Sequence, residues 1–194
     1  MNKKILNEEI LSFFLQNGNK QIHGREIARK LKANQKTVQN KLNKLVKNKI
    51  LEKKIEGKNH SYGINKDNPL LNYYLQQTEL NKTISFLNKH FEIKLMINEI
   101  KNLIKSPILI FGSYAKGYNK KDSDLDILIL DNKKYNLNKI KTKYNLKVQL
   151  LQLTKQQFKK GLKNKENFPQ EVLYNHIIIQ NYEFFVNSWM KHNG

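Results

Sequence analysis

A chain of 194 residues with 39% hydrophobic content can fill one large core or two small ones, and its formal net charge of +20 favours polyanionic partners. Part of that charge is compositional, because Asn is abundant and Arg25 and Arg29 are the only arginines beside many lysines. The lack of cysteine excludes disulfides, thiolate zinc sites and cysteine nucleophiles, and the five histidines show no metal-ligand spacing. Glu8 and Glu9 interrupt the apolar region that a signal peptide needs, and no run approaches the ~18 apolar residues of a membrane span, so a cytoplasmic protein without a membrane partner is expected.

Ile5, Leu6, Ile10, Phe13 and Phe14 recur at helical spacing and predict a first helix over 5–16, stopped at Gly18. A second is expected over 24–32, with Ile27, Ala28 and Leu31 on one face. Asn34 then caps a third that turns Val38, Leu42, Leu45 and Val46 inward. The segments 50–56 and 61–65 flank the turn GKNH and read as a hairpin. Residues 1–66 carry 16 Lys/Arg against five acids. The run GREIARKLKANQKTVQNKLNKLVKNKILEKK, followed by GKN, resembles a winged helix-turn-helix domain. The resemblance implies double-stranded DNA as partner. Gln35, Lys36, Gln39, Asn40 and Asn43 of the third helix would face base edges, and Lys53, Lys54 and Lys58 near the wing would meet phosphates. A winged helix used for protein contact is the alternative.

Asn68-Pro69 marks a boundary, since the residue before proline avoids helical backbone. Residues 67–105 then read as a connector of one or two helices that covers the following sheet and can also support a homodimer.

Pro107–Phe111 reads as a buried strand ending at Gly112, and 113–117 as a short helix. The backbone N–H groups around Gly112 and Ser113 therefore sit where a phosphate can be received. DLDILIL follows as a second strand. With a period of two, Asp124, Asp126, Leu128 and Leu130 share one face, and Leu125, Ile127 and Ile129 the other. Two carboxylates about 6.6 Å apart along a strand can converge on a divalent ion. Mg²⁺ suits them, since it takes oxygen ligands and is held by one or two carboxylates plus substrate phosphates. The alternative is an acid pair at a strand edge neutralised by Lys120 and Lys121.

An apolar strand, Gly112-Ser113 and, about ten residues on, Asp124-Leu125-Asp126 together resemble the minimal nucleotidyltransferases of the DNA polymerase beta superfamily. The similarity runs over roughly residues 85–185. It implies an α/β (α+β) domain with a small mixed sheet over 106–194. Asp124 and Asp126 would be catalytic and hold Mg²⁺ (or Mn²⁺), while Gly112 and Ser113 would hold the triphosphate of an NTP, ATP above others. Lys116 stands where relatives often carry Arg, keeping the charge without the bidentate geometry. Active members usually place a third carboxylate on a later strand. In LKVQLLQLT the aligned position is Gln149, which is neutral and cannot take a proton. Asp131 is one acid that could stand in for it.

Downstream, helices are expected over 154–162 and over 166–179, the latter interrupted by Pro169, and the tail YEFFVNSWM is apolar enough to pack. Three functions follow. The first is transfer of NMP from an NTP to an acceptor hydroxyl, joined to DNA binding. The second is a transcription regulator that senses nucleotide without turnover. The third, from the resemblance, is an antitoxin paired with a HEPN-type protein.

Overall fold

A computed structural model describes residues 7–18, 20–57, 59–120, 122–144 and 146–193. Ile5, Leu6, Lys58 and Lys121 lie outside the described residues. The chain divides into two compact units, Met1–Thr78 with Asn193–Gly194, and Glu79–His192.

The first unit runs α1 (Asn7–Asn17), β1 (Ile22–His23), α2 (Gly24–Lys30), α3 (Gln35–Lys47), β2 (Leu51–Glu56) and β3 (Asn59–Ile64). α3 starts where expected because Asn34 Oδ1 accepts from the N–H groups of Lys36 (2.9 Å) and Thr37 (3.2 Å), which the helix's own carbonyls cannot reach. Its apolar residues recur at Val38, Leu42 and Leu45 and are buried, as are Ile10 and Phe14 of α1 and Ile27 of α2. The hairpin pairs Leu51 with Ile64 through Glu56 with Asn59, so Asn59 and His60 belong to the strand rather than to the turn. β1 is a two-residue strand that the sequence does not announce; Ile22 and His23 pair with Tyr62 and Ser61 and make a three-stranded sheet in the order β1-β3-β2.

α4 (Leu71–Lys89) contains the division between the units, and α5 (Phe91–Leu103) follows after His90. The second unit continues with β4 (Ile108–Phe111), α6 (Gly112–Lys116), β5 (Leu125–Leu130), α7 (Asn138–Tyr144), β6 (Val148–Leu153), α8 (Lys155–Lys163), α9 (Asn167–Tyr174), β7 (Ile177–Gln180) and α10 (Tyr182–His192). Its sheet has the order β6-β5-β4-β7, with β5 and β6 parallel and β4 antiparallel to β5 and β7. This is the expected mixed sheet in an α+β fold. Ile108, Ile110, Leu125, Ile127, Ile129, Ile177 and Ile179 pack in one core with Ile93, Met96, Ile97 and Ile100 of α5. Leu109, Leu128, Leu130 and Ile178, which alternate with them along the strands, are also fully buried, so the centre of the sheet is covered on both faces.

One expectation is corrected here. Residues 166–179 are not one interrupted helix: Pro169 falls in the first turn of α9, where its missing N–H costs nothing, and Ile177–Gln180 is a strand beside β4. The chain between β5 and β6 also forms α7, whose Ile140 joins the core. β6 is an edge strand whose side chains alternate between half-buried and exposed as far as Leu151.

A buried polar group ties α4 to β7. Glu79 Oε2 lies 2.7 Å from Lys82 Nζ and 3.3 Å from His176 Nε2. Burial alone would raise the Glu79 pKa, but the charges of Lys82 and His176 outweigh it and hold the carboxyl at about 2. Thr83 Oγ1 donates to the carbonyl of Ile178 beside it (2.5 Å).

Candidate functional site

β4 ends at Phe111, which pairs with Asp126 in the antiparallel register with β5. The next residue, Gly112, turns the chain into α6 with φ +69°, a conformation L side chains rarely adopt. A Cβ at Gly112 would overlap Asp126 Oδ2 and stand 3.0 Å from its Cγ. The bare Cα is therefore what allows the carboxylate to lie against the strand-to-helix turn. Phe111, at the N-cap of α6, supplies no side-chain acceptor, and Gly117 closes the helix in a left-handed turn at φ +76°.

Asp124 immediately precedes β5 and is exposed, while Asp126, inside the strand, is half-buried. The Asp126 pKa is raised, first by desolvation and second by the charge of Asp124. The two carboxylates are thus close enough to repel. Among the described residues no ion pair joins Lys120 to either acid; its backbone N–H instead binds Ser123 Oγ (2.8 Å). The proposed neutralisation by Lys120 is absent from this arrangement.

On the adjoining strand, Gln149 is the parallel partner of Asp126 and is exposed. Paired residues of neighbouring strands share a face at a spacing of about 4.8 Å. Gln149 therefore stands beside Asp126. Among the described residues no set of three His, Cys, Asp or Glu side chains converges as metal ligands. Asp131 does not fill the gap. It follows β5 at the opposite end, five residues or about 16 Å along the strand from Asp126. Ser106 Oγ and the Tyr135 hydroxyl both donate to its Oδ2 (2.5 Å each), and these bonds hold its pKa well below the usual carboxylate range.

Lys116 is engaged with Glu171 of α9, and this contact raises its pKa. Its ammonium also lies 5.9 Å from the centroid of the Tyr118 ring. Phe168 of α9 meets Phe111 edge-on (centroids 5.4 Å apart), so α9 adjoins the end of β4. The sequence offered no signal for Glu171 or Phe168, since both reach the site from a helix more than 50 residues downstream.

In the first unit, Gln35, Lys36, Asn40 and Asn43 are exposed on α3. Gln39 is half-buried, and its Nε2 donates to the Tyr62 hydroxyl (2.5 Å) and to Asn43 Oδ1 (3.0 Å). Lys54 is exposed and Lys53 half-buried on β2. A cleft of ≈560 Å³ brings Arg25 and Arg29 together with His23, His60, Gln35 and Gln39, and Glu26 is the one acid among its lining side chains. Sequence reasoning placed Gln35 and Gln39 at an interface but passed over both arginines, although Arg25 and Arg29 lie i,i+4 on one helix face.

No helix among the described residues is long and apolar enough to cross a membrane. No curated protein matches the chain. Among solved structures, a crystal structure of a toxin-antitoxin with AMP-PNP is similar at 17% identity over 49% of this chain and 84% of that one, with a TM-score of 0.34, a likeness too loose to fix the fold. The family described as polymerase beta, nucleotidyltransferase matches residues 81–184, a stretch that holds α5, the mixed sheet, Gly112-Ser113 and both aspartates. Since that stretch is more than half of the chain, the protein belongs to the polymerase beta nucleotidyltransferase family.

Proposed function

We propose that the second unit binds an NTP with a divalent metal ion and transfers NMP to an acceptor hydroxyl. The observation that carries this reading is the packing of the Asp126 carboxylate against the side-chain-free Gly112, next to Asp124 and at the start of α6. The donor set fits Mg²⁺ or Mn²⁺: two carboxylates supply hard oxygen ligands and leave coordination positions for the triphosphate. When bound, the ion would neutralise charge developing on the phosphates. The acceptor oxygen would attack the α-phosphorus, the α–β bridge would break, and pyrophosphate would leave. Gly112 and Ser113 would present backbone N–H groups to the triphosphate, and Lys116 would reach it by leaving Glu171. Because the proton on Asp126 is held more tightly than usual, acid should compete with metal at this site.

Gln149 favours a second reading, nucleotide sensing without turnover. A carboxamide beside Asp126 can hydrogen-bond an acceptor hydroxyl but cannot remove its proton. The first unit, residues 1–66 by this reading, would bind duplex DNA as a winged helix. That is supported by the element order α1-β1-α2-α3-β2-β3, by the exposed polar face of α3 and by the paired arginines of the α2 cleft.

The test is incubation of the protein with each labelled NTP and Mg²⁺ or Mn²⁺, in parallel with Asp124→Asn/Asp126→Asn. The transferase reading expects label on a macromolecule, nucleic acid or protein, and its loss in the double variant. Calorimetric binding of NTP and metal with no transfer to any acceptor supports the sensor. Unchanged NTP–metal affinity in the double variant removes both readings.

A further inference from the structure

We infer that the surface formed by α8 and α10 binds a single strand of nucleic acid, at a place that shares no residue with the aspartate site or with α3. Thr154 and Gln157 close a capping box at the start of α8, fixing that helix, while Phe158 and Leu162 anchor its inner face. On the outer side Lys155, Lys159 and Lys163 recur every four residues and are all exposed. Their spacing is about 6 Å per step along the helix, so they form a regular row of positive charge.

The last two of these lysines enter a cleft of ≈370 Å³ together with Lys165, Lys191 and His192, over Leu162 and Ser188, and among the described residues no Asp or Glu lines it. α8 itself contains no acid, and the acid that follows it, Glu166, hydrogen-bonds Asn164. None of these lysines joins an ion pair among the described residues. The Phe184 ring instead sits 5.8 Å from the Lys155 ammonium and 5.3 Å from that of Lys159, holding both heads on this face. Like charges at i,i+4 destabilise a helix, so an uncompensated row is best satisfied by a ligand that brings its own anions at a regular interval. Beside the lysines the cleft offers the Leu162 side chain and the His192 ring, on which the unstacked bases of a single strand can rest, whereas a duplex keeps its bases stacked inside.

The experiment measures anisotropy of a labelled 20-nucleotide single-stranded oligonucleotide against the full chain from 50 to 300 mM salt, with unlabelled duplex and polyglutamate as competitors. The variant is Lys159→Gln/Lys163→Gln/Lys191→Gln. Its control of equal charge is Lys133→Gln/Lys134→Gln/Lys139→Gln, exposed positions elsewhere on the same unit. The expected result is a loss of about tenfold or more in affinity at 150 mM salt for the cleft variant only, with the slope of log K against log salt reduced by about 2, or 0.7 for each lost phosphate contact. An equal loss in the control overturns the inference, because net charge would then account for binding. So does competition by polyglutamate or duplex as effective as that of the unlabelled strand, which would make the cleft a general acidic-polymer or duplex surface. A cleft variant with unchanged melting temperature and unchanged binding overturns it as well.

Discussion

Gln149 and Asp126 are neighbours across a parallel ladder, and the chemistry of the site turns on one atom of that pair. Replacing the Gln149 amide nitrogen by an oxygen, as in Gln149→Glu, or shortening it to Gln149→Asp, puts a third carboxylate beside two that already repel. Without metal this should destabilise the second unit and raise the Asp126 pKa further, since the added charge acts in the same direction as Asp124. With Mn²⁺ the sign should reverse. We expect Gln149→Asp to bind Mn²⁺ about tenfold more tightly than the natural chain, worth about 1.4 kcal/mol. If transfer is limited by the missing base, turnover should rise with little change in NTP affinity, as single-turnover kinetics would resolve. Equal or weaker metal binding would mean that the 149 side chain does not reach the ion.

Among the elements, α4 and β7 are joined by an interaction whose pH response can be worked out. The Glu79 carboxyl lies below its ordinary 4.5, at about 2, so the native state favours its charged form. That contribution is complete above the unfolded value and disappears as pH falls from about 4.5 to 2. A shift of this size in a buried group corresponds to roughly 3 kcal/mol. Glu79→Gln should lower stability by that order at neutral pH, and chemical unfolding should show the two proteins converging as pH falls through the window. A constant difference down to pH 2 would assign the loss to packing instead. The sequence could not reveal this contact, because Glu79 and His176 are 97 residues apart and neither stands in a motif. The site itself was more legible. Asp126 is unusual in an apolar run, and period-two alternation set it apart from Leu125 and Ile127, whereas Asp124 lies just before β5; the later apolar run gave Gln149 its strand. β7 was missed because Ile177–Ile179 is a short continuous apolar run, which fits a buried strand and the end of a helix equally well. β1, at two residues, carries no periodicity at all.

Charge is the property of the whole molecule that the composition announced and the structure distributes. Residues 1–66 hold +11 of the total +20, leaving +9 on the remainder. By the DNA-binding reading, duplex affinity should fall steeply with salt, and Arg25→Gln/Arg29→Gln should flatten log K against log salt by about 1.8, at 0.9 per phosphate contact. Titrations at four salt concentrations measure that slope; an unchanged slope would place the phosphate contacts away from the α2 cleft. The same positive charge protects a vulnerable margin. β6 offers VQLLQL, six residues with neither charge nor proline, along the open border of a sheet, with Leu151 36% exposed. Mutual repulsion of molecules carrying +20 should keep two such borders apart in dilute buffer. At 1 M salt, where fields extend only about 3 Å, that protection lapses. Raising salt is therefore expected to let the β6 borders of two molecules pair, and light scattering that stays flat from 0.1 to 1 M salt would show that charge is not what keeps them apart.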